Sequence, residues 1–310
     1  MAGMNPKVII MPLNYNGEEL LEQSLPAVIE AAKNSPVQTE VWVIDNNSCD
    51  NSKEYVKGHF PDAQFISYQE NQILFTYNDA FKKANADYIL ILNNDMIPDK
   101  DFIAPLIARM ENELNCFAVS PKINAEKASD AMSYRLTGSF CHGHLKPVAL
   151  DEGPGATLYL HGGAALIKRE KFLELGGFDP LFFYFEDNDL SYRAWQKGWT
   201  CLFEPSSECE HLGSQTTLKV FGHEEKKRAL KEKASNLFIL KNISETTWLN
   251  NFRIWTFLKI LKMIFSVDSY RLWAYFEALT LANKLQQTRD KTLSDSELMT
   301  KITNMSLKEL

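Results

Sequence analysis

The chain has 310 residues, of which 45% are hydrophobic and 24% are charged. This composition is typical of a globular protein with one large domain, or with one domain and an appendage. Residues 1–221 carry 18 Lys and Arg against 30 Asp and Glu, whereas residues 222–291 carry 13 against 7. The acidic first part argues against nucleic acid as a partner.

Five scattered cysteines, an odd number with no CxxC pair, indicate reduced thiols in a cytoplasm rather than a disulfide framework or a zinc site. No window of about 20 residues is free of charged side chains, so we expect no membrane-spanning helix. Residues 1–7 contain no apolar stretch before a cleavage site, and we therefore expect no secretory signal.

Short β-rich runs alternate with helical patterns along the first 200 residues. Strands are predicted at residues 8–13, 41–44, 64–68, 88–92 and 200–203, and helices at 18–34, 49–57, 77–84 and 171–175. The first helix is expected to be interrupted near Pro26. This alternation predicts an α/β protein with a parallel sheet covered by helices, and ligands beyond the carboxyl ends of its strands.

Polar residues begin where three of the predicted strands stop, at residues 14–17, 45–48 and 93–95. Their coincidence at three strand ends predicts a binding site at that edge of the sheet. The phosphate-binding loops GxGxxG and GxxxxGK[ST] are missing, as is the lysine-containing glycine loop of sugar nucleotidyltransferases. A nucleotidyltransferase is therefore the less favoured interpretation.

An aromatic run at residues 182–185 meets a cluster of carboxylates at Glu186, Asp187 and Asp189. A carboxylate at the rim of a partly dry site gains basicity and can act as a general base. The alternative is an ordinary helix start, because acidic side chains in a first turn stabilise the helix dipole.

Asp45 is suited to accept the N3–H of a uracil or thymine ring, since a carboxylate offers the matching acceptor. The alternative is an Asx turn, for which the sequence Asp-Asn-Asn-Ser is good material. Asp95 can hold a Mn²⁺ or Mg²⁺ ion that bridges two phosphates, with Asn93 and His211 as further ligands. The alternatives are a turn into Pro98 and a structural histidine.

Past residue 221 the chain becomes basic and rich in aromatic residues. Helices are predicted at residues 224–242 and 248–265, and the second carries Arg253, Lys259 and Lys262 on one side. Such a helix either lies in a membrane interface or packs on the first domain with its cations in water. Residues 293–310 are polar and are expected to be loosely held.

Taken in order, these motifs resemble those of the GT-A-fold glycosyltransferases of family 2, in particular the rhamnosyltransferase-like branch. The resemblance rests on LNYNG at residues 13–17, VIDNNSCDNS at 43–52, ILNND at 91–95, GGAALI at 162–167, GFD at 177–179, YFEDNDL at 184–190 with Arg193, and His211. It covers residues 7 to 215. One departure is Ile73, which stands where the family usually has glycine.

The resemblance implies an inverting transfer of a sugar from a nucleotide diphosphate donor. Asp187 would be the base and Glu186 would orient the acceptor or the base; Asp95 would be the last residue of the DxD-type metal motif. Donor contacts are expected from Asn14, Asn16, Asp45, Asn71, Asn78 and Asn94. Acceptor contacts are expected from Gly162, Gly163, Asp189 and Arg193.

The resulting prediction is a GT-A domain at residues 1–221, a helical appendage at 222–292 in possible contact with membrane, and a polar tail at 293–310. The expected enzyme uses a UDP- or dTDP-sugar with Mn²⁺ or Mg²⁺, and glycosylates a glycan acceptor carried on a polyprenyl lipid in bacterial surface polysaccharide synthesis. Its expected place is the cytoplasmic face of the membrane. The alternative is a non-catalytic GT-A module that binds a nucleotide-sugar or a glycan.

Overall fold

The computed structural model describes residues 6–125, 134–213, 224–265, 269–282 and 291–308. The strands are β1 Lys7–Asn14, β2 Gln38–Asp45, β3 Gln64–Ser67, β4 Tyr88–Asn93, β5 Met96–Pro98, β6 Cys116–Ala125, β7 Leu136–Cys141, β8 His144–Ala149, β9 Gly155–Ala156, β10 Ala164–Lys168 and β11 Thr200–His211. The helices are α1 Glu18–Lys33, α2 Ser52–His59, α3 Thr76–Lys83, α4 Ile103–Asn112, α5 Arg169–Glu174, α6 Glu186–Gln196, α7 Glu224–Asn242, α8 Thr246–Phe265, α9 Ser269–Ala282 and α10 Asp295–Lys308.

The main sheet has the order β3-β2-β1-β4-β10-β6-β11-β5, with β9 paired to β11. Strands β3, β2, β1 and β4 are parallel, as the alternating pattern predicts. Strand β10 runs antiparallel between β4 and β6, so the second half of the sheet is mixed. Strands β7 and β8 form a separate hairpin, which the sequence pattern did not predict.

Helix α1 covers the sheet through a stripe at positions 21, 25 and 28, where Leu21, Leu25 and Val28 are buried. The predicted interruption near Pro26 is wrong, because α1 is one continuous helix with Pro26 inside it. The ring removes one backbone donor from the helix. We attribute the continuity of the helix to the burial of Leu25 and Val28 on either side.

The carboxyl ends of β1, β2 and β4 meet at one edge, in the register Asn14 to Asp45 and Leu13 to Asn93. The predicted meeting of three polar strand ends is thus confirmed. This edge carries the site described below.

The C-terminal helices pack on the sheet domain, and α7 contacts both α6 and α9. The expectation of a loosely held tail is wrong. Asp295, at the start of α10, is fully buried and accepts hydrogen bonds from the Tyr192 hydroxyl (2.8 Å) and from the backbone amides of Ser244 (2.7 Å) and Glu245 (2.9 Å). Leu298 and Ile302 are also fully buried, so an apolar stripe that the polar composition conceals holds this helix in place.

The predicted boundary between residues 221 and 222 lies outside the described residues. No helix in the described ranges combines the length and the hydropathy needed to cross a bilayer.

Candidate active site

A cavity of about 480 Å³ opens at the carboxyl edge of the sheet. One group of lining residues comes from the ends of β1 and β2 and from the loop before α3: Asn14, Tyr15, Asn46, Asn71, Ile73, Leu74 and Phe75. The other group comes from the segment between β4 and β5, the loop before β10, the start of α6 with the residues before it, and the end of β11: Asn93, Asn94, Asp95, Met96, His161, Phe182, Phe183, Tyr184, Glu186 and His211. The first group is uncharged, whereas the acidic and imidazole side chains belong to the second.

The side-chain amide of Asn14 ties the three strand ends together. Its Nδ2 donates to Asp45 Oδ1 at 3.1 Å, and its Oδ1 accepts from Asn94 Nδ2 at 2.9 Å. A Cβ atom at Gly17 would lie only 2.2 Å from Asn94 Nδ2 and 2.6 Å from Asn14 Oδ1, so a larger residue here would displace this pair of amides. Asn14 and Asn94, both predicted as donor-binding, therefore line the cavity as one connected pair.

Asp45 is buried just behind the cavity lining, where both of its carboxylate oxygens accept hydrogen bonds from Ser48, three residues further along the chain. Its Oδ1 accepts from the Ser48 hydroxyl at 2.5 Å, and its Oδ2 accepts from the Ser48 amide at 3.1 Å. The side chain of Asn16 is likewise engaged within the protein, since its Oδ1 accepts a hydrogen bond from the Cys49 amide at 2.8 Å. An Asx turn, the alternative offered by the sequence, would bond Asp45 to the amide two residues on, whereas the bonded amide is that of Ser48, three residues on. The nucleotide-binding role of Asp45 stays a prediction.

The loop before α3 has an unusual backbone at Ile73, where φ is +55°. This left-handed conformation suits glycine and is costly for a β-branched residue. Two side chains hold it: Asn71 Oδ1 accepts from the Ile73 amide at 2.9 Å, and Asn46 Nδ2 donates to the Ile73 carbonyl at 3.0 Å. Ile73 therefore adopts the left-handed backbone conformation that glycine, the usual residue of the family at this position, would adopt without steric cost.

Asn78, also predicted to bind the donor, lies away from the cavity lining. Its Oδ1 accepts from the Phe178 amide and its Nδ2 donates to the Phe178 carbonyl, both at 2.8 Å. Both ends of this side-chain amide are occupied by the backbone of one residue. We therefore propose a structural role for Asn78 in place of donor contact.

Two of the three predicted metal ligands, Asp95 and His211, lie in contact, and the third, Asn93, lines the same cavity. His211 Nε2 lies 3.2 Å from Asp95 Oδ2, because the antiparallel pairing of β11 with β5 sets His211 opposite Met96. Asp95 is 6% exposed, and its Oδ1 has no hydrogen-bond partner in the described part of the chain. A buried carboxylate oxygen without a donor is suited to a cation.

Within the described residues, no three His, Cys, Asp or Glu side chains form a metal cluster. A cation held by Asp95 and His211 would thus need oxygen atoms from Asn93 or from a bound ligand.

His161 lines the same cavity, and the sequence analysis did not identify it. Its Nδ1 accepts from the Gly163 amide at 3.1 Å, and burial, with the nearby His211, lowers the pKa of its imidazole to about 4. The ring is therefore neutral at pH 7, and with Nδ1 as acceptor its Nε2 carries the proton. In the sequence, the position of His161 directly before Gly162 could have indicated that it lies at the site.

Glu186 and Asp187 begin helix α6, after Tyr184 and Phe185 with φ values of +71° and +68°. Glu186 lines the cavity, and its Oε2 is buried with no hydrogen-bond partner among the described residues. Burial and the neighbouring Asp187 raise the pKa of Glu186 to about 7. This carboxylate has the basicity that a general base needs near neutral pH.

Asp187 is tied to the backbone beside the cavity. Its Oδ2 accepts from the Gly162 amide at 3.2 Å, its Oδ1 accepts from the Asn188 amide at 2.8 Å, and burial raises its pKa. A Cβ atom at Gly162 would come within 3.2 Å of Asp187 Oδ2, and one at Gly163 within 3.1 Å of Asn93 Nδ2. The two glycines, predicted as acceptor-binding, lie off the cavity lining and give these side chains room.

Asp189 and Arg193, also predicted as acceptor-binding, lie in a buried network. Arg193 Nε donates to Asp189 Oδ2 at 2.7 Å, and Asp189 Oδ1 lies 2.8 Å from Lys241 Nζ. Burial opposes ionisation of Asp189, but the two cations outweigh it and lower its pKa. Arg193 also donates to the carbonyls of Leu175 and Gly177. These contacts join α6 to α7, so we propose a structural role in place of acceptor contact.

The likeness to known proteins agrees with this geometry. The family model "Glycosyl transferase family 2" matches residues 8–176, more than half of the chain. The chain belongs to glycosyltransferase family 2. It is 24% identical over 238 residues to an N-acetylglucosaminyl-diphospho-decaprenol L-rhamnosyltransferase of Mycobacterium tuberculosis, a match that covers 67% of this chain and 76% of the relative.

Two solved structures have the same fold. S. aureus TarS 1-349 in complex with UDP-GlcNAc matches with a TM-score of 0.60 and 14% identity, over 98% of this chain and 88% of that one. The mannosyltransferase PcManGT from Pyrobaculum calidifontis, in complex with GDP-Man and Mn²⁺, matches with a TM-score of 0.58 and 17% identity, over 99% and 81%. The predicted GT-A architecture of this family 2 protein is thus confirmed.

Proposed function

We propose that this family 2 protein is an inverting glycosyltransferase that moves a sugar from a UDP- or dTDP-sugar to a hydroxyl group of a glycan. One observation carries the proposal: Asp95, whose Oδ1 has no hydrogen-bond partner among the residues that the structure describes, lies beside His211 in the same cavity as the raised-pKa carboxylate of Glu186. Displacement of a diphosphate from a sugar needs a cation at the leaving group and a base for the acceptor.

Asp95 and His211, with the Asn93 amide oxygen, would hold the cation. A bound Mn²⁺ or Mg²⁺ ion would offset the negative charge that develops on the departing diphosphate. Mg²⁺ prefers an all-oxygen shell, whereas Mn²⁺ accepts an imidazole more readily, and we therefore expect Mn²⁺ to support the higher activity.

In the proposed step, a carboxylate takes the proton of the acceptor hydroxyl. The hydroxyl oxygen then bonds to the anomeric carbon as the bond to the diphosphate breaks, and the nucleoside diphosphate leaves with the electron pair. The family resemblance implies that Asp187 is the base that accepts this proton, and we adopt that assignment. Glu186 is the second candidate, because it lines the cavity with a buried oxygen that has no partner in the described part of the chain, while Asp187 is bonded to two backbone amides.

The uncharged part of the cavity is our proposed site for the donor base. Asp45 already accepts three hydrogen bonds, from Asn14 and Ser48. A carboxylate has about four acceptor positions, so one remains for the N3–H of uracil or thymine. The asparagines that line this part, Asn14 and Asn71, supply further polar contacts.

Our proposal for the acceptor rests on the comparison with the mycobacterial relative, whose name describes a lipid-diphosphate acceptor. We propose that the acceptor here is likewise carried on a polyprenyl diphosphate, at the cytoplasmic face of the membrane. The free thiols of the chain are consistent with that compartment.

Calorimetric titration with UDP, dTDP, GDP and CDP, each with and without Mn²⁺, tests the donor site. The expected result is binding of UDP or dTDP that needs Mn²⁺ and is lost in Asp95→Ala. Asp99→Ala, which changes an exposed acid just past β5, serves as the control and should bind normally. Preference for GDP or CDP would overturn the assignment of Asp45.

Incubation with the preferred donor and a polyprenyl-linked sugar then separates an enzyme from a binding module. Transfer with release of the nucleoside diphosphate supports the proposal. Tight donor binding with no turnover on any acceptor or on water would favour the non-catalytic module.

A further inference from the structure

Helix α8 exposes a stripe of large apolar side chains. Ile254, Phe257, Leu258, Leu261 and Ile264 are between 38% and 61% exposed. Their spacings of three and four residues put them on one face of the helix. A row of this kind is more than the isolated apolar side chains that any surface carries.

The exposed stripe is separate from the face by which α8 packs. Phe252, Thr256 and Met263 are buried, and the ring of Phe252 lies edge-on to His144 of the β7–β8 hairpin. These positions lie on the opposite side of the helix from the exposed stripe. Helix α8 thus packs on the rest of the protein through this buried side, and the packing does not explain why the opposite side is also apolar.

Helix α9 repeats this arrangement. Tyr270, Trp273 and Phe276 are 53%, 49% and 57% exposed and lie three residues apart. Ala274 and Ala278 are buried on its other side, and the helix packs on α7. We call the exposed apolar residues of α8 and α9 together the aromatic face.

The charged side chains of α8 all have one sign. Arg253 and Lys262 are exposed on α8, and that helix contains no Asp or Glu. On α9 the acid Glu277 is paired with Lys233 at 3.1 Å, which offsets its charge. A second copy of this chain would bring equal charges together, whereas a surface of anionic lipid would complement them.

We propose that the aromatic face lies in the headgroup region of an anionic lipid bilayer. Apolar and aromatic side chains on one face with cations beside them are what interfacial helices use, and Trp and Tyr favour that depth. The inference goes beyond the proposed transferase activity and does not depend on it.

Helix α7 connects this surface with the candidate active site. Lys231 Nζ lies 5.4 Å from the ring centre of Tyr184, which lines the cavity, and Lys233 Nζ lies 5.7 Å from the ring centre of Trp273. One helix thus contacts both the cavity wall and the aromatic face. A bilayer that holds the face also fixes the orientation of the cavity relative to the lipid surface.

Co-sedimentation of the full chain with vesicles tests the proposal. We expect binding to vesicles of phosphatidylglycerol and phosphatidylcholine in a ratio of about 3:7, and much weaker binding to pure phosphatidylcholine. The variant Phe257→Ser/Leu261→Ser/Phe276→Ser should lose binding by about tenfold or more. Leu114→Ser, which changes a 90% exposed leucine outside the aromatic face, should bind as the wild type does.

A second variant keeps the test decisive if the triple variant does not fold. Arg253→Glu/Lys262→Glu alters exposed side chains alone and should weaken binding by at least about 25-fold, since each lost cation is worth about fivefold and each new carboxylate is repelled by the anionic lipid. Lys53→Glu/Lys57→Glu, on α2, is the matched control. Binding unchanged in both test variants would overturn the proposal, as would a dimer in light scattering that the triple variant abolishes, because the face would then join two copies.

Discussion

His211 Nε2 lies 3.2 Å from Asp95 Oδ2, although 116 positions separate the two residues in the chain. The contact closes the edge of the sheet where β5 pairs with β11. It joins the last residue of the predicted metal motif to an imidazole that no local sequence pattern connects to it.

This contact predicts unequal effects of two substitutions on Mn²⁺-dependent nucleotide binding. Asp95→Ala removes the charged oxygen ligand of the proposed site and should weaken UDP binding about 100-fold. His211→Ala should weaken it about tenfold, because a water molecule can take the place of the imidazole. Calorimetry in the presence of Mn²⁺ measures both; equal binding by His211→Ala and wild type would exclude the histidine as a ligand.

The raised pKa of Glu186 predicts a pH-dependent stability. Its pKa in the folded state, about 7, lies above the ordinary 4.5, so protonation of Glu186 stabilises the folded protein. This contribution to the free energy of unfolding is complete below pH 4.5 and is lost as the pH rises through 7. Glu186→Gln should therefore be more stable than wild type at pH 8, by on the order of 2 kcal/mol, with a much smaller difference at pH 5.

Urea denaturation at both pH values measures this difference. Glu54→Gln, an exposed acid on α2, should show little change at either pH. A gain for Glu186→Gln that is the same at pH 5 and pH 8 would contradict the pKa argument.

Kinetic measurements can distinguish the roles of Glu186 and Asp187. Asp187→Asn should abolish transfer while UDP still binds, because the residue that accepts the proton is lost. Glu186→Gln should lower kcat but leave measurable turnover. The reverse outcome, with transfer lost in Glu186→Gln and near wild type in Asp187→Asn, would make Glu186 the base.

The left-handed backbone at Ile73 predicts that glycine is better tolerated there than alanine. Ile73→Gly removes a backbone cost of about 1–2 kcal/mol, less the extra freedom that glycine gives the unfolded chain. We expect a net gain in the free energy of unfolding of about 0.5–1 kcal/mol. Ile73→Ala keeps a Cβ atom in the same conformation and should show no gain.

Because Ile73 lines the cavity, the same variants should also change the affinity for the nucleotide. Denaturation and UDP titration of the two variants measure the two effects separately. A loss of stability in Ile73→Gly larger than in Ile73→Ala would show that the backbone conformation imposes no cost.

Gly17 and Gly58 form a matched pair of substitutions to alanine. A Cβ atom at Gly17 would lie 2.2 Å from Asn94 Nδ2 and 2.6 Å from Asn14 Oδ1, so Gly17→Ala should cost about 2 kcal/mol and weaken donor binding. Gly58 lies in α2, where a Cβ atom would have no neighbour within 4 Å, so Gly58→Ala should stabilise by about 0.5–1 kcal/mol. Thermal denaturation compares them, and equal effects would contradict the crowding at Gly17.

The buried network around Asp189 predicts a loss of stability without a change in acceptor affinity. Asp189→Asn leaves Arg193 and Lys241 without their shared carboxylate and should cost about 3 kcal/mol. Asp179→Asn removes the other, more exposed partner of Lys241 and should cost less, about 1 kcal/mol. If Asp189→Asn instead raised the KM for the acceptor with normal stability, the acceptor-binding role expected from the sequence would be correct.

The sequence was sufficient for those parts of the site that follow from strand order. Apolar runs that end in polar residues predict a shared sheet edge, because parallel strands align their carboxyl ends. The register that sets Asn14 against Asp45 confirms this for β1 and β2. The spacing of Asp95 and His211 carries no such information, and the sequence connected them only as side-chain types that can share a metal ion.

Roles that depend on burial were not accessible from the sequence. Asp189 and Arg193 stand one helical turn apart beside the predicted base, and this local pattern suits a substrate contact and a salt bridge equally well. What decides between them is Lys241, which approaches from α7 and is 52 positions further along the chain than Asp189. The isoleucine at position 73 gives no indication of its left-handed conformation, and the glycine that the family usually has there was the available signal.

The burial of Asp295 has a consequence for synthesis of the protein. Tyr192 of α6 and the amides just before α8 both donate to this carboxylate, which is 15 positions from the last residue of the sequence. On the ribosome, the helix that begins with Glu186 and Asp187 therefore lacks one of its buried partners until the chain has been translated past Asp295, 103 positions after Tyr192. We accordingly expect nascent chains that stop before Asp295 to leave the catalytic pair on an incompletely packed helix.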